Sequence, residues 1–335
     1  LPLGSLRVGS MRGPELRRTV ESAIGDVAWL SSIKGRTLFA VGGSWRALAR
    51  LHIAQNRHPV SIVHNYCIAR PTAEGLTDLI SQMSQKSLAG IVGVPRRRLD
   101  SLPAAATTMR HLLGIAQPRE VIFSAYGVRE GVLFDRLSAV GQLEDPLLAG
   151  CRQLKQRNGR RVDDGNALWS WLQPLFDSTA PDQTRLYQAA CELCDIAWSA
   201  HPDYRADEAL TRVIRAPLVG VDHPGRVFLG LAVYVRYGGE VTDDRTSRYR
   251  GLIDEKTSAN AHCLGTALRF ASAIAAGSNH LNEVGALQVD ERTVVLELTE
   301  KGMILYSEPV ARRFKALARL LGKGPAVIEG GPRAS

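Results

Sequence analysis

The sequence predicts an α/β lobe, then an α domain, then a small ββα element at the C-terminal end. Three observations predict it. Short apolar runs alternate with helix-period segments up to about residue 137, the pattern of a strand-and-helix layer. From about 140 to 280 helical patterns succeed one another without a convincing strand between them. Two apolar runs near 293–306 then precede an amphipathic stretch. The expected boundaries are 1–137, 138–285 and 286–325. A chain of 335 residues with 45% apolar content exceeds what one core usually organises, so more than one domain is expected.

Taken in order, Leu1-Pro2-Leu3-Gly4-Ser5-Leu6-Arg7-Val8 reads as a strand within a sheet. Val20, Ile24, Val27, Trp29 and Leu30 recur at helical spacing over 17–32. Thr37-Leu38-Phe39-Ala40-Val41 is a short buried strand, followed by Gly42-Gly43-Ser44 and a helix over 45–53. Helices are predicted over 72–81, with Thr72 as cap, and over 100–113. A strand over 119–124 ends at Ala125-Tyr126-Gly127, and a helix begins at Val128.

In the helical domain the patterns centre on 168–175, 186–198, 209–214 and 227–237. Residues 293–298 and 303–306 read as paired strands, 309–321 as a helix, and the Gly/Pro-rich tail after Gly322 as frayed.

Lys+Arg 42 against Asp+Glu 33 gives a net charge of +9, which suits an anionic partner and also describes many soluble proteins. Five cysteines, scattered through segments that read as core, favour a reducing compartment. No run approaches the ~20 apolar residues of a membrane span, and residues 1–11 lack a leader pattern. A cytoplasmic protein without a membrane partner is expected.

Gly42-Gly43-Ser44-Trp45-Arg46 lies where backbone N–H groups approach an anion: a Gly-rich turn between a strand and a helix N-terminus. Ser44 adds a hydroxyl and Arg46 a charge. The same turn also serves packing alone. Gly127-Val128-Arg129-Glu130-Gly131 repeats the arrangement, with Arg129 and Glu130 either touching substrate or merely positioning the helix.

Arg96-Arg97-Arg98 precedes Asp100 and Ser101, both candidate caps; three guanidiniums are either a solvated basic face or a grip on a chain of phosphates. Arg152, Lys155, Arg157, Arg160 and Arg161 form a second basic cluster, a candidate polyanion channel. Cys191-Glu192-Leu193-Cys194 has redox or zinc spacing but lacks a second pair, so buried helix thiols are the better reading. Asp195, His201, Asp203, Asp222 and His223 raise a metal-bearing phosphohydrolase site, weakened by Cys194 preceding Asp195; His201 reads as structural, and no metal ligand is assigned. Asp100 and Glu130 are the acidic residues near the Gly turns, and neither stands in the context of a general base.

Leu1-Pro2-Leu3-Gly4-Ser5-Leu6-Arg7, Val41-Gly42-Gly43-Ser44-Trp45-Arg46-Ala47-Leu48-Ala49, Arg98-Leu99-Asp100 and Ser124-Ala125-Tyr126-Gly127-Val128-Arg129-Glu130-Gly131 resemble, in order and spacing, the successive motifs of the Ppx/GppA family. Ala189-Ala190-Cys191 to Asp195-Ile196 extends the resemblance. It implies the second half of an actin-like (ribonuclease-H-like) α/β domain followed by a degenerate HD-type helical domain. It implies hydrolysis of the terminal phosphoanhydride of inorganic polyphosphate, or of pppGpp, usually with Mg2+, by a homodimer in the intact protein. Gly42, Gly43 and Ser44 would then face phosphate, and Arg98 and Asp100 would match the family's Arg-x-Asp element, with Ala104 where a glycine is usual.

The resemblance further implies that the family's Asp-Ile-Gly-Gly-Gly-Ser segment and its general-base glutamate belong to a first half that this chain lacks. No catalytic residue is therefore assigned, and the chain alone is expected to be inactive. Two other readings stay open: a non-catalytic polyphosphate- or alarmone-binding regulatory module, and a basic nucleic-acid binder, disfavoured by 6% aromatic content.

Overall fold

The computed structural model describes residues 2–9, 11, 13–90, 99–158, 165–176, 180–275 and 281–330. The chain divides into two units, residues 1–143 and 144–335.

In the first unit, strand β3 (Glu120–Ser124) is central. It pairs in parallel with β1 (Thr37–Val41), Val41 opposite Ser124, and antiparallel with β2 (Tyr66–Ala69), Tyr66 opposite Phe123. Helices α1 (Gly13–Gly25), α2 (Gly43–Gln55), α3 (Arg70–Gln82), α4 (Leu102–Ala116) and α5 (Val128–Phe134) accompany it. Val121 and Phe123 of β3 pack with Leu48 and Leu51 of α2, Ile80 of α3 and Leu113 of α4. Burying a side chain of this size contributes ~1.5–3 kcal/mol, and this cluster holds the ends of β1 and β3 in place. The other side of α4 packs Ala104 and Ala116 against Leu16, Val20 and Ile24 of α1.

Residues 2–8 are not a strand. Ser5–Val8 is a helical turn, with the Gly4 carbonyl accepting from the amides of Arg7 (2.8 Å) and Val8 (3.2 Å), and Val8 joins the α1 cluster. These local bonds satisfy the backbone that a sheet neighbour would otherwise have to satisfy. Thr72 is not a cap either: α3 starts two residues earlier, after Ala69, with Pro71 in its first turn.

The second unit carries α6 (Pro146–Asn158), α7 (Gly165–Leu172), α8 (Pro181–Leu193), α9 (Arg205–Arg215), α10 (His223–Arg236) and α11 (Glu255–Ile274). Helix α10 is buried along almost its whole length, so it reads as apolar on all sides. It packs between α9 and α11. Asp222 caps it, accepting from the Gly225 amide at 2.8 Å.

The C-terminal element differs from the expected ββα order. β4 (Gly285–Val289) and β5 (Thr293–Leu298) form the antiparallel pair; Glu300–Leu305 is helix α12; α13 (Glu308–Leu320) follows; and β6 (Gly324–Glu329) lies parallel to β5. Residues 303–306 are not a strand because Thr299 caps a helix there, its Oγ1 accepting from the Gly302 amide at 3.2 Å. Gly302 also sits where an added Cβ would come 2.0 Å from the Val284 carbonyl. Strand β6 falls in the stretch expected to fray, because its pairing is made by backbone while Val327 and Ile328 remain exposed. No helix among the described residues is long and apolar enough to cross a membrane.

Candidate functional site

Because β1 and β3 are parallel neighbours in register, the turns that leave their C-terminal ends lie side by side. That edge is where open α/β sheets receive ligands. Gly42 is the N-cap of α2 and has φ +138°, a conformation L side chains rarely adopt; an added Cβ would also stand 3.0 Å from Trp45 Cδ1. The Gly42 carbonyl accepts from the Arg46 amide at 3.0 Å, closing the first turn of α2. The amides of that first turn have no intrahelical acceptor and face the anion-favouring end of the helix. Gly42, Gly43, Ser44, Trp45 and Thr108 line a cavity of about 260 Å³.

The second turn is built differently. The Gly127 amide donates to Glu130 Oε2 at 2.7 Å, and the Tyr126 amide to Ser124 Oγ at 3.1 Å. Arg46 Nη1 donates to the Ala125 carbonyl, so the cation of the first turn clasps the backbone of the second. The Gly127 amide holds the Glu130 carboxyl below the usual carboxylate range, with Arg129 and Arg46 adding to the effect. A carboxylate so engaged is a helix cap and a poor proton acceptor at neutral pH. Arg129 is exposed on α5.

Gly42, Gly43, Ser44, Arg46 and Glu130 are therefore brought together, with Arg129 on α5, the helix that Gly127 caps. Asp100 lies at the entry to α4, next to Ser101, the N-cap residue. Arg96, Arg97, Arg98, Arg160 and Arg161 lie outside the described residues. Arg152 pairs with Glu144, and Lys155 Nζ lies 3.2 Å from the buried Glu192 carboxylate, so both cations are neutralised within the second unit.

Cys191 and Cys194 are buried and in no disulfide, and burial pushes the Cys191 thiol up. His201 is exposed, 3.7 Å from Asp203, while the buried Asp195 pairs with Arg236 at 2.9 Å. Among the described residues no three or more His, Cys, Asp or Glu side chains converge as a metal site would require. With Glu130 tied to Gly127, the side chains at the Gly turns do not by themselves supply the oxygen ligands that Mg2+ takes.

One basic cavity escaped the sequence reading. About 730 Å³ between α1, α3 and α4 is faced by Arg17, Arg18, Arg110 and His111, with Asp78 bound to Arg110 at 2.7 Å. Its residues come from three separate helices, so no local signal in the sequence brings them together.

Parallel strands ending in paired Gly turns, with a helical unit following them in the chain, define a two-unit α/β and α protein. The Ppx/GppA phosphatase family model matches residues 12–140, and the exopolyphosphatase C-terminal model matches residues 168–328. The chain belongs to the Ppx/GppA phosphatase family, with the family's α/β fold of small sheets and many helices. The expectation that the family's first half is lacking conflicts with the match over 12–140 and is not kept.

The chain is also similar to Retrograde regulation protein 2 of Saccharomyces cerevisiae, 27% identical over 222 residues; the match takes in 62% of this chain and 37% of that protein's length. Two solved structures of the Aquifex aeolicus Ppx/GppA protein align at 20% and 24% identity. Their TM-scores are 0.34 and 0.33; they cover 43% and 41% of this chain, and 49% and 48% of theirs.

Proposed function

We propose that this chain handles the terminal phosphoanhydride of a polyanion, inorganic polyphosphate or pppGpp, as part of a phosphoanhydride hydrolase. One observation carries the reading: two Gly turns at the C-terminal ends of parallel β1 and β3, joined by Arg46 on the Ala125 carbonyl. In this reading the first-turn amides of α2 and the Ser44 hydroxyl receive non-bridging oxygens of the terminal phosphate. They would stabilise its charge as the P–O bridge breaks and water oxygen bonds to phosphorus, releasing orthophosphate. Arg46 fixes the spacing of the two turns, and Arg129 offers an exposed guanidinium beside them. Membership of the family supports metal-dependent hydrolysis in general. The described side chains do not compose an Mg2+ site, and no step is assigned to the metal.

A second reading, a binding or regulatory module without turnover, is favoured by two observations. The acid of the second turn is engaged as a helix cap, and the curated relative bears the name of a regulation protein.

Orthophosphate release by the 335-residue chain from long-chain polyphosphate and from pppGpp, with Mg2+, separates the two. Release that falls at least tenfold in Arg46→Ala, because the turns lose the spacing that positions the phosphate, supports hydrolysis. Salt-sensitive binding without release supports the module. Neither binding nor release at low salt refutes both.

A further inference from the structure

In the second unit, four arginines from four different elements face one cavity of about 360 Å³: Arg205 at the start of α9, Arg236 at the end of α10, Arg269 on α11 and Arg313 on α13. Among the described residues the single carboxylate lining it is Asp195, bound to Arg236 Nη2 at 2.9 Å. Three formal positive charges are left over from that pair. Among the described residues the buried Arg236 Nε has no hydrogen-bond partner, and Arg205 is oriented by donating from Nε to the Ala200 carbonyl at 2.9 Å.

The backbone is shaped around these groups. Gly238 takes φ +99° directly against Arg269, where an added Cβ would stand 3.2 Å from Nη2. Like charges gathered in a partly desolvated cavity oppose one another. Burial, and then Arg269, Arg236 and Arg312, hold the Arg313 guanidinium below its ordinary range.

A fold that keeps such a cluster is complemented by a compact anion of more than one charge. Guanidiniums bind phosphate oxygens through two parallel N–H donors, and a cavity of this size suits a small ligand. We propose that this cavity binds a di- or triphosphate group, carried either by inorganic polyphosphate or by a nucleotide. Trp198, 42% exposed at the rim, offers a nucleotide base a surface to stack on. All these residues belong to the second unit, so the inference does not depend on the function proposed for the Gly turns of the first.

The test is calorimetric titration of the full chain with tripolyphosphate and with GTP at low salt, with hydrogen exchange to locate each ligand. Protection is expected at 195–205, 236–238 and 269–273. Arg313→Gln should weaken tripolyphosphate binding roughly tenfold, as loss of charged hydrogen bonds does. It should also leave the melting temperature of the ligand-free chain unchanged or higher, because a repulsion is removed.

Arg313→Lys, which keeps the charge, should retain most of the affinity. Equal binding of the two ligands assigns the site to the phosphates alone; tighter GTP binding that is lost in Trp198→Ala assigns it to a nucleotide. The proposal is overturned if protection is confined to residues 1–143. It is also overturned if Arg313→Gln binds as tightly as the parent, or if that variant destabilises the ligand-free chain. Arg46→Ala, in the first unit, should leave the second-unit protection intact whatever becomes of the hydrolase reading.

Discussion

Replacing Gly42 by alanine tests the construction of the first Gly turn. At φ +138° and ψ +163° an alanine is held in a region open essentially to glycine, which costs ~1–3 kcal/mol. The new Cβ, 3.0 Å from Trp45 Cδ1, also obliges the indole to shift, and Trp45 packs on the main core of the first unit. Together these give a loss of about 2–3 kcal/mol, or roughly 6–10 °C for a unit of this size.

Gly131→Ala is the control. Gly131 lies within α5, and its added Cβ meets nothing within 4 Å, so this change should gain about 0.5–1 kcal/mol through helix propensity and a stiffer unfolded chain. Differential scanning calorimetry, with hydrogen exchange at β1 and β3 to assign the transition to the first unit, reads both. Gly42→Ala should in addition lower phosphate binding or release, since the amides of the turn are displaced. A Gly42→Ala chain as stable as its parent, or a Gly131→Ala chain destabilised to the same degree, refutes the reasoning.

Three further outcomes follow from other contacts. The Glu120 carboxyl is held near about 2 by hydrogen bonds from Arg119 and Thr37. Its pKa is lower folded than unfolded, so its contribution is complete above the ordinary carboxylate range of ~4.3 and is lost as pH falls toward 2. The melting-temperature gap between parent and Glu120→Gln should therefore be widest at neutral pH and close between pH 5 and 2.

At Gly265 an added Cβ would stand 2.5 Å from the Ala232 carbonyl of the facing helix. Gly265→Ala should force α10 and α11 apart at a cost of about 2–3 kcal/mol, seen as a lower denaturant midpoint for the second unit. The fully buried Arg226 donates to the Ala216 carbonyl at 2.6 Å and the Leu218 carbonyl at 3.1 Å. Arg226→Met should cost about 3–5 kcal/mol, measured by urea unfolding, whereas Arg226→Lys should recover part of it.

Much of this was legible in the sequence where one residue's neighbours in space are also its neighbours in the chain. Thr37 to Val41 followed by Gly42-Gly43 announced a strand and a tight turn, and the periodicity of Val20 and Ile24 announced a helix. The misreadings occur where the chain is decided from a distance. Met303 and Ile304 form an apolar pair that suggested a strand, yet both are exposed on a helix, and what fixes them there is the cap at Thr299 and the close approach of Gly302 to Val284. β2 is only four residues long, with Tyr66 and Ile68 buried and Cys67 and Ala69 exposed, too short a period-2 run to stand out. At the site, the Gly turns were visible, but the clasp from Arg46 to Ala125 spans 79 positions. Nothing in Arg129-Glu130 told that the acid would turn back onto the Gly127 amide.

The positive charge shows the same division, and it bears on what the protein can bind. A net +9 invites the picture of a basic face tracking a long polyanion, and the clusters that stand out in the sequence are contiguous: Arg96 to Arg98, and Arg152 to Arg161. In the second cluster Arg152 and Lys155 are each tied to a glutamate, and Arg185 is likewise bound to Asp145. Such pairs cancel in the far field and cannot contribute counterion release. The excess that remains unpaired around Arg313 among the described residues is assembled from single arginines far apart in the sequence and concentrated at one cavity. Charge held that way recognises a compact group with several charges by bidentate geometry. It does not recognise the length of a polymer, so affinity at this cavity should follow the number of phosphates on the ligand up to two or three and then level off.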